Sequence, residues 1–113
     1  MKILIVGLGV IGGGYAMALK EAGYSEVYGI DTNEETLKKA KEMKIIKEGF
    51  TREDEIISEM DLIVLAIYPN LVKDFIVKNK NKLHANLLQC YETKHLKDFW
   101  LYELTLLVKY VNI

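Results

Sequence analysis

Residues 1–20, MKILIVGLGVIGGGYAMALK, decide how the rest of the chain is read. A lysine, an uncharged run from Ile3 to Leu19 and an Ala16-Met17-Ala18 triplet together have the outline of a secretory signal with its small-residue cleavage site. The same letters hold Gly7, Gly9 and Gly12 in the spacing GxGxxG, the pattern of a strand-to-helix turn that cradles a phosphate. Five glycines between Gly7 and Gly14 make a poor apolar helix of the kind a signal needs, and the residues that follow weaken the export reading further.

KILIVG is an unbroken aliphatic run, as expected of a strand covered on both faces in a parallel sheet. Ile11, Tyr15, Leu19 and Ala22 then fall at helical spacing, and Gly23 stands where a helix stops. EVYGI reads as a second strand ending at Asp31. Thr32 with Glu35 reads as a capping box, and Leu37, Ala40 and Met43 mark the buried stripe of a second helix. KIIKEGF holds a short third strand and REDEIISEM a short helix. DLIVLAIY is a fourth strand closed by Pro69 and Asn70, followed by a helix with Leu71, Val72, Phe75 and Ile76. ANLLQC reads as a fifth strand. From Leu96 onward Trp100, Leu104, Leu107 and Val111 keep a helical period, with YVNI as an alternative start of a sixth strand. Strands alternating with helices imply an α/β fold, a Rossmann-like doubly wound parallel sheet, because right-handed crossovers lay a helix on the sheet each time.

The totals agree with a single domain over residues 1–113, since a chain of this length buries enough apolar surface only in one core. A net charge of −1 excludes the basic excess of a nucleic-acid or anionic-membrane binder. One cysteine, Cys90, allows neither a disulfide framework nor a cysteine-based zinc site, which fits a cytoplasmic location and no bound metal. On an expected inner strand, Cys90 reads as a small core residue and not a nucleophile.

The glycine turn lies directly after the first strand and before a helix, with Asp31 about twenty residues on, which is the order of a dinucleotide site. Gly7 permits the tight turn, Gly9 lets a pyrophosphate approach the backbone, and Gly12 lets helix and strand pack closely. The competing reading is a glycine-rich turn that holds nothing, with Asp31 merely capping a helix. A carboxylate at this position accepts both hydroxyls of the NAD ribose and repels the extra phosphate of NADP. Thr32 and Asn33 follow it, and no arginine stands near to receive that phosphate, so NAD is the expected cofactor. S-adenosylmethionine enzymes favour GxGxG, and Ile11 occupies that third glycine position.

ILIVGLGVIGGGYAMALKEAGYSEVYGID, ETLKKAKEMKIIKEGFT and DLIVLAIYPN resemble the N-terminal domain of prephenate and arogenate dehydrogenases. The likeness runs to about Leu88, and the double glycine Gly12-Gly13, GFT and the proline turn narrow it; residues 89–113 diverge from the pattern. The resemblance implies a cofactor site formed by Gly7, Leu8, Gly9, Val10, Ile11, Gly12, Asp31 and Thr32. It adds a second edge from Ala66, Ile67, Tyr68 and Pro69, against the plain alternative of an ordinary strand-to-helix turn. It also implies oxidative decarboxylation of prephenate to 4-hydroxyphenylpyruvate, on the route to tyrosine, with the histidine of a His-Pro motif as base.

That motif is absent: His84 precedes alanine and His95 precedes leucine, so no catalytic residue is expected among these positions. Lys97 and Glu92 match the family's lysine and acid poorly. The expectation is a truncated cofactor domain that binds a dinucleotide without oxidising prephenate, self-associating as a homo-oligomer through the apolar segment 96–111. Two other classes compete. Stand-alone NAD-sensing modules of potassium transport systems share the turn and the acid, whereas a structural remnant would bind nothing.

Overall fold

The computed structural model describes residues 1–52, 55–83, 86–96 and 99–106. The chain forms one sheet from β1 (Ile3–Val6), β2 (Val27–Ile30), β3 (Glu48–Phe50), β4 (Leu62–Leu65), β5 (Asn86–Leu96) and β6 (Phe99–Leu106). Helices α1 (Val10–Glu21), α2 (Glu34–Glu42) and α3 (Pro69–Asn79) connect them, with 3₁₀ turns at Glu55–Glu59 and Lys80–Lys82. The spatial order is β3-β2-β1-β4-β5-β6. All neighbours run parallel except β5 and β6.

Alternation along the buried strands splits the core in two. Ile3 and Ile5 of β1 join Val64, Ala16, Leu37 and Ala40 in one cluster, which places α1 and α2 on that face. Leu4 and Val6 join Ile63, Leu65, Val72, Phe75 and Ile76 in the other, which places α3 on the opposite face. Ile3, Leu4, Ile5, Ile63, Val64 and Leu65 are all 0% exposed, each burial worth up to about 1.5–3 kcal/mol before chain entropy is counted. Sandwiched strands therefore read as unbroken apolar runs, as KILIVG and DLIVL do.

Several elements differ from expectation. Asn33, not Thr32, caps α2, its side-chain oxygen accepting from the Glu35 and Thr36 amides. Glu35 therefore falls at the second helical position, where it cannot complete the capping box. Met43 is an exposed C-cap beyond the buried stripe of Leu37 and Ala40, and Ala22 caps α1 in the same way. Both ends are Schellman turns: Gly23 and Tyr24 donate to Lys20 and Leu19, and Lys44 and Ile45 donate to Lys41 and Ala40. Gly23 takes the left-handed position expected of it (φ +95°); Lys44 takes the same position with φ +60°.

The largest correction is at the far end, where Phe99–Leu106 is a strand antiparallel to β5, not the helix anticipated from Leu96 to Val111. Leu104 pairs with Cys90 and Leu101 with Thr93, so a hairpin extends the parallel sheet with one antiparallel edge. β-branched and aromatic residues favour such pairing, and an apolar run this dense carries a helical and a strand period at once. Glu53, Asp54, His84, Lys97, Leu107 and Val111 lie outside the described residues.

Candidate functional site

Strand register builds the site. Val6 pairs with Ile30 on one side and with Leu65 on the other. Gly7, Asp31 and Ala66 therefore leave the carboxyl edge of the sheet side by side, where β1 sends one connection to β2 and β4 returns beyond it. In an open parallel sheet this is the crevice where ligands settle.

Gly7 turns the chain with φ +93°, its amide still donating to the Ile30 carbonyl at 2.7 Å. A Cβ there would stand 2.6 Å from the Ala66 carbonyl oxygen, and one at Gly12 would overlap the Gly7 carbonyl, so both positions are closed to a side chain. At Gly9 nothing lies within 4 Å of a Cβ, which leaves open approach to the backbone. Gly9 is also the N-cap of α1, without a side-chain cap and without an acid in the first turn. The Gly13 amide makes the first bond back to Gly9, at 2.8 Å, leaving the Val10, Ile11 and Gly12 amides without a partner four residues back. Positive helix-end potential and free donors thus face the crevice.

Asp31 stands beside this end, half-buried. Its Oδ2 accepts from the Leu8 amide at 2.9 Å and its Oδ1 from the Asn33 amide at 2.9 Å. A carboxylate oxygen has more than one acceptor site, so both remain able to take a further donor. Thr32 is exposed between Asp31 and the cap. Of the second edge, Ala66 and Ile67 are half-buried against the glycine turn, with the Ala66 Cβ 3.2 Å from a Cβ placed at Gly12. Tyr68 is 77% exposed and caps α3 without a side-chain bond, and Pro69 takes the first helical position. Val10 is 88% exposed at the same edge. Ile11, in the first turn of α1, is half-buried against the core cluster that contains Ile3 and Ile5.

Helix α2 offers the opposite environment. Asn33 satisfies its first amides, and Glu34 and Glu35 occupy its first turn. Asn33 went unrecognised in the sequence because Thr32 offered the same chemistry one position earlier. Gly29, inside β2, was likewise missed; a glycine within a strand signals close approach by another group.

A depression of about 630 Å³ lies at the other edge of the sheet, lined by Lys20, Tyr24, Lys41, Lys44 and Lys47 among others. Two of its lysines have other partners: Lys20 Nζ donates to the Met43 carbonyl at the end of α2, at 3.1 Å, and Lys41 pairs with Glu48 of β3 at 2.8 Å. Among the described residues, no group of His, Cys, Asp or Glu could hold a metal ion, and no helix is long and apolar enough to cross a membrane.

The model of the family described as NADP oxidoreductase, coenzyme F420-dependent, matches residues 2–88. The chain belongs to this family. The match takes in the glycine turn, Asp31 and the β4 turn, and ends within β5. Among solved structures, a prephenate dehydrogenase from A. aeolicus in complex with hydroxyphenyl propionate and NAD+ is 29% identical with TM-score 0.69, covering 79% of this chain and 33% of its own. An arogenate dehydrogenase from Synechocystis is 25% identical with TM-score 0.72, covering 86% of this chain and 36% of its own. A pyrroline-5-carboxylate reductase from Coxiella burnetii, 14% identical with TM-score 0.67, shares the fold. The family member described here spans about a third of the two dehydrogenases. No curated protein matches it.

Proposed function

We propose that the chain is an NAD-binding dehydrogenase domain of prephenate or arogenate dehydrogenase type, in which Gly7–Gly12 hold the diphosphate and Asp31 the adenosine ribose. The observation that carries this reading is Asp31, fixed by the Leu8 amide at 2.9 Å beside an α1 N-terminus that no side chain caps. A diphosphate would meet the free amides of Val10, Ile11 and Gly12. Thr32, Ala66, Ile67, Tyr68 and Pro69 would line the groove on either side. The cofactor, where it binds, supplies a hydride acceptor; the chain's own residues orient it and exclude the wrong nucleotide.

The family description names NADP, whereas the acid at the end of β2 favours NAD. A 2′-phosphate would lie near the Asp31 carboxylate and the α2 first turn, where Asn33 already occupies the amides and Glu34 and Glu35 add like charge. Hydride chemistry on prephenate or arogenate, as part of tyrosine synthesis, belongs to the whole enzyme; no side chain of this chain is assigned as its base.

NADH fluorescence titration tests the reading. Saturable binding is expected, at least tenfold tighter than for NADPH, about 1.4 kcal/mol. Asp31→Asn should narrow that gap by weakening NADH and relieving repulsion of NADPH. No saturable change with either nucleotide would refute it.

A further inference from the structure

Leu8 occupies a variable position of the glycine motif, yet it is 5% exposed and packs in the core cluster with Ile5 and Ala16. Its side chain fills the hollow left by the missing side chain of Gly29. A Cβ at Gly29 would stand 2.5 Å from Leu8 Cδ1 and 3.2 Å from Cγ. The backbone of the same residue donates to Asp31 Oδ2 at 2.9 Å. Leu8 is therefore anchored at one end in β2 and presents its amide at the other end to the residue that follows β2.

We propose that the Leu8–Gly29 contact is a positioning device for nucleotide selectivity, a role that rests on the dinucleotide reading above. The turn between Gly7 and Gly9 has its first residue held by the Ile30 carbonyl and its last opening into α1. What sets the direction of the Leu8 amide between them is the side chain seated over Gly29. That amide, with the Asn33 amide on the other oxygen, fixes the plane of the Asp31 carboxylate. A carboxylate held in one plane offers a ribose diol two acceptors at set positions and keeps its charge where a 2′-phosphate would sit. An Asp31 released from Leu8 could rotate, losing acceptor geometry toward NADH and turning its charge away from NADPH. Selectivity between the two nucleotides thus depends on a buried leucine and a strand glycine whose side-chain positions lie in the core.

The test titrates NADH and NADPH into the full chain and into Leu8→Val, Leu8→Ala, Leu8→Met and Gly29→Ala, each checked for folding by circular dichroism. The ratio of the NADPH to the NADH Kd should fall severalfold in Gly29→Ala, whose methyl displaces Leu8, and in Leu8→Ala. Leu8→Val should lower it less, and Leu8→Met, which preserves volume, should keep it. Should Gly29→Ala or Leu8→Ala fail to fold, the Val and Met variants give the same contrast at lower cost to the core. Equal weakening of both nucleotides, with the ratio unchanged, would show that Leu8 only packs and would overturn the proposal alone. Failure of the unaltered chain to bind either nucleotide would overturn the dinucleotide reading and this proposal with it.

Discussion

Asp31 and Leu8, 23 positions apart in the chain, are joined by a 2.9 Å hydrogen bond from the Leu8 amide to Asp31 Oδ2. This bond exists because β1 and β2 are in parallel register with Val6 opposite Ile30, so that both strands end at the same height. The strand register thereby places the acid against the glycine turn, and its orientation is a property of the fold.

Neighbouring glycines in α1 should respond oppositely to alanine. A Cβ at Gly12 would overlap the Gly7 carbonyl, so Gly12→Ala must part helix from strand; we expect about 1–3 kcal/mol of destabilisation and at least tenfold weaker NADH binding. Gly14 has nothing within 4 Å of a Cβ, and Gly14→Ala should stabilise by about 0.5–1 kcal/mol through helix propensity. Urea unfolding of the two variants gives both signs.

Lys44 pays for a left-handed backbone (φ +60°) to close the Schellman turn after α2. Lys44→Gly should stabilise the chain by about 0.5–1 kcal/mol, the strain relieved outweighing the added entropy of the unfolded glycine. Chemical denaturation with an unchanged m-value would register the gain.

Glu48 at the start of β3 accepts from Lys41 Nζ at 2.8 and 3.1 Å. The hydrogen bond from Lys41, followed by its charge, holds the Glu48 carboxyl below its ordinary value of 4.5. The folded value is the lower one, so the pair's contribution to stability is present above pH 4.5 and is lost as pH falls through the folded value. Both side chains are about half exposed, which keeps that contribution small. A carboxyl carbon-13 titration should show the Glu48 midpoint rising toward 4.5 in Lys41→Met, and no movement would contradict the pairing.

The self-association expected through 96–111 falls, among the described residues, on a strand and not on a helix. Among the described residues β6 pairs with β5 alone, so Phe99–Leu106 forms the outer edge of the sheet, with one charge, Glu103, and no proline. Such edges recruit a further strand. We expect the mass in light scattering to rise with concentration and Leu101→Lys to suppress the rise. A concentration-independent monomer mass would count against this surface.

The sheet and the glycine turn were legible because each letter had one cheap interpretation: unbroken aliphatic runs fit only covered strands, and Gly7, Gly9 and Gly12 fit one turn before a helix. Asp31 was legible from its distance along the chain, but its bond to Leu8 was not, since it depends on β1–β2 register. The contact of Leu8 with Gly29 escaped for the same reason, being tertiary. Thr32 and Asn33 are both good caps, and the choice between them shows only in the backbone, which is still extended at Asn33 and turns helical at Glu34. In Phe99–Leu106 the residues have high strand propensity and also satisfy a helical period; pairing with β5, a non-local event, decided the outcome.

The most direct test is amide chemical-shift mapping of nitrogen-15-labelled protein as NAD is added. Saturable shifts are expected, concentrated at Leu8–Gly12, Asp31–Asn33 and Ala66–Tyr68 on the carboxyl edge of the sheet. Shifts centred on Lys20, Tyr24 and Lys44 at the opposite edge, or no saturable shifts at all, would contradict it.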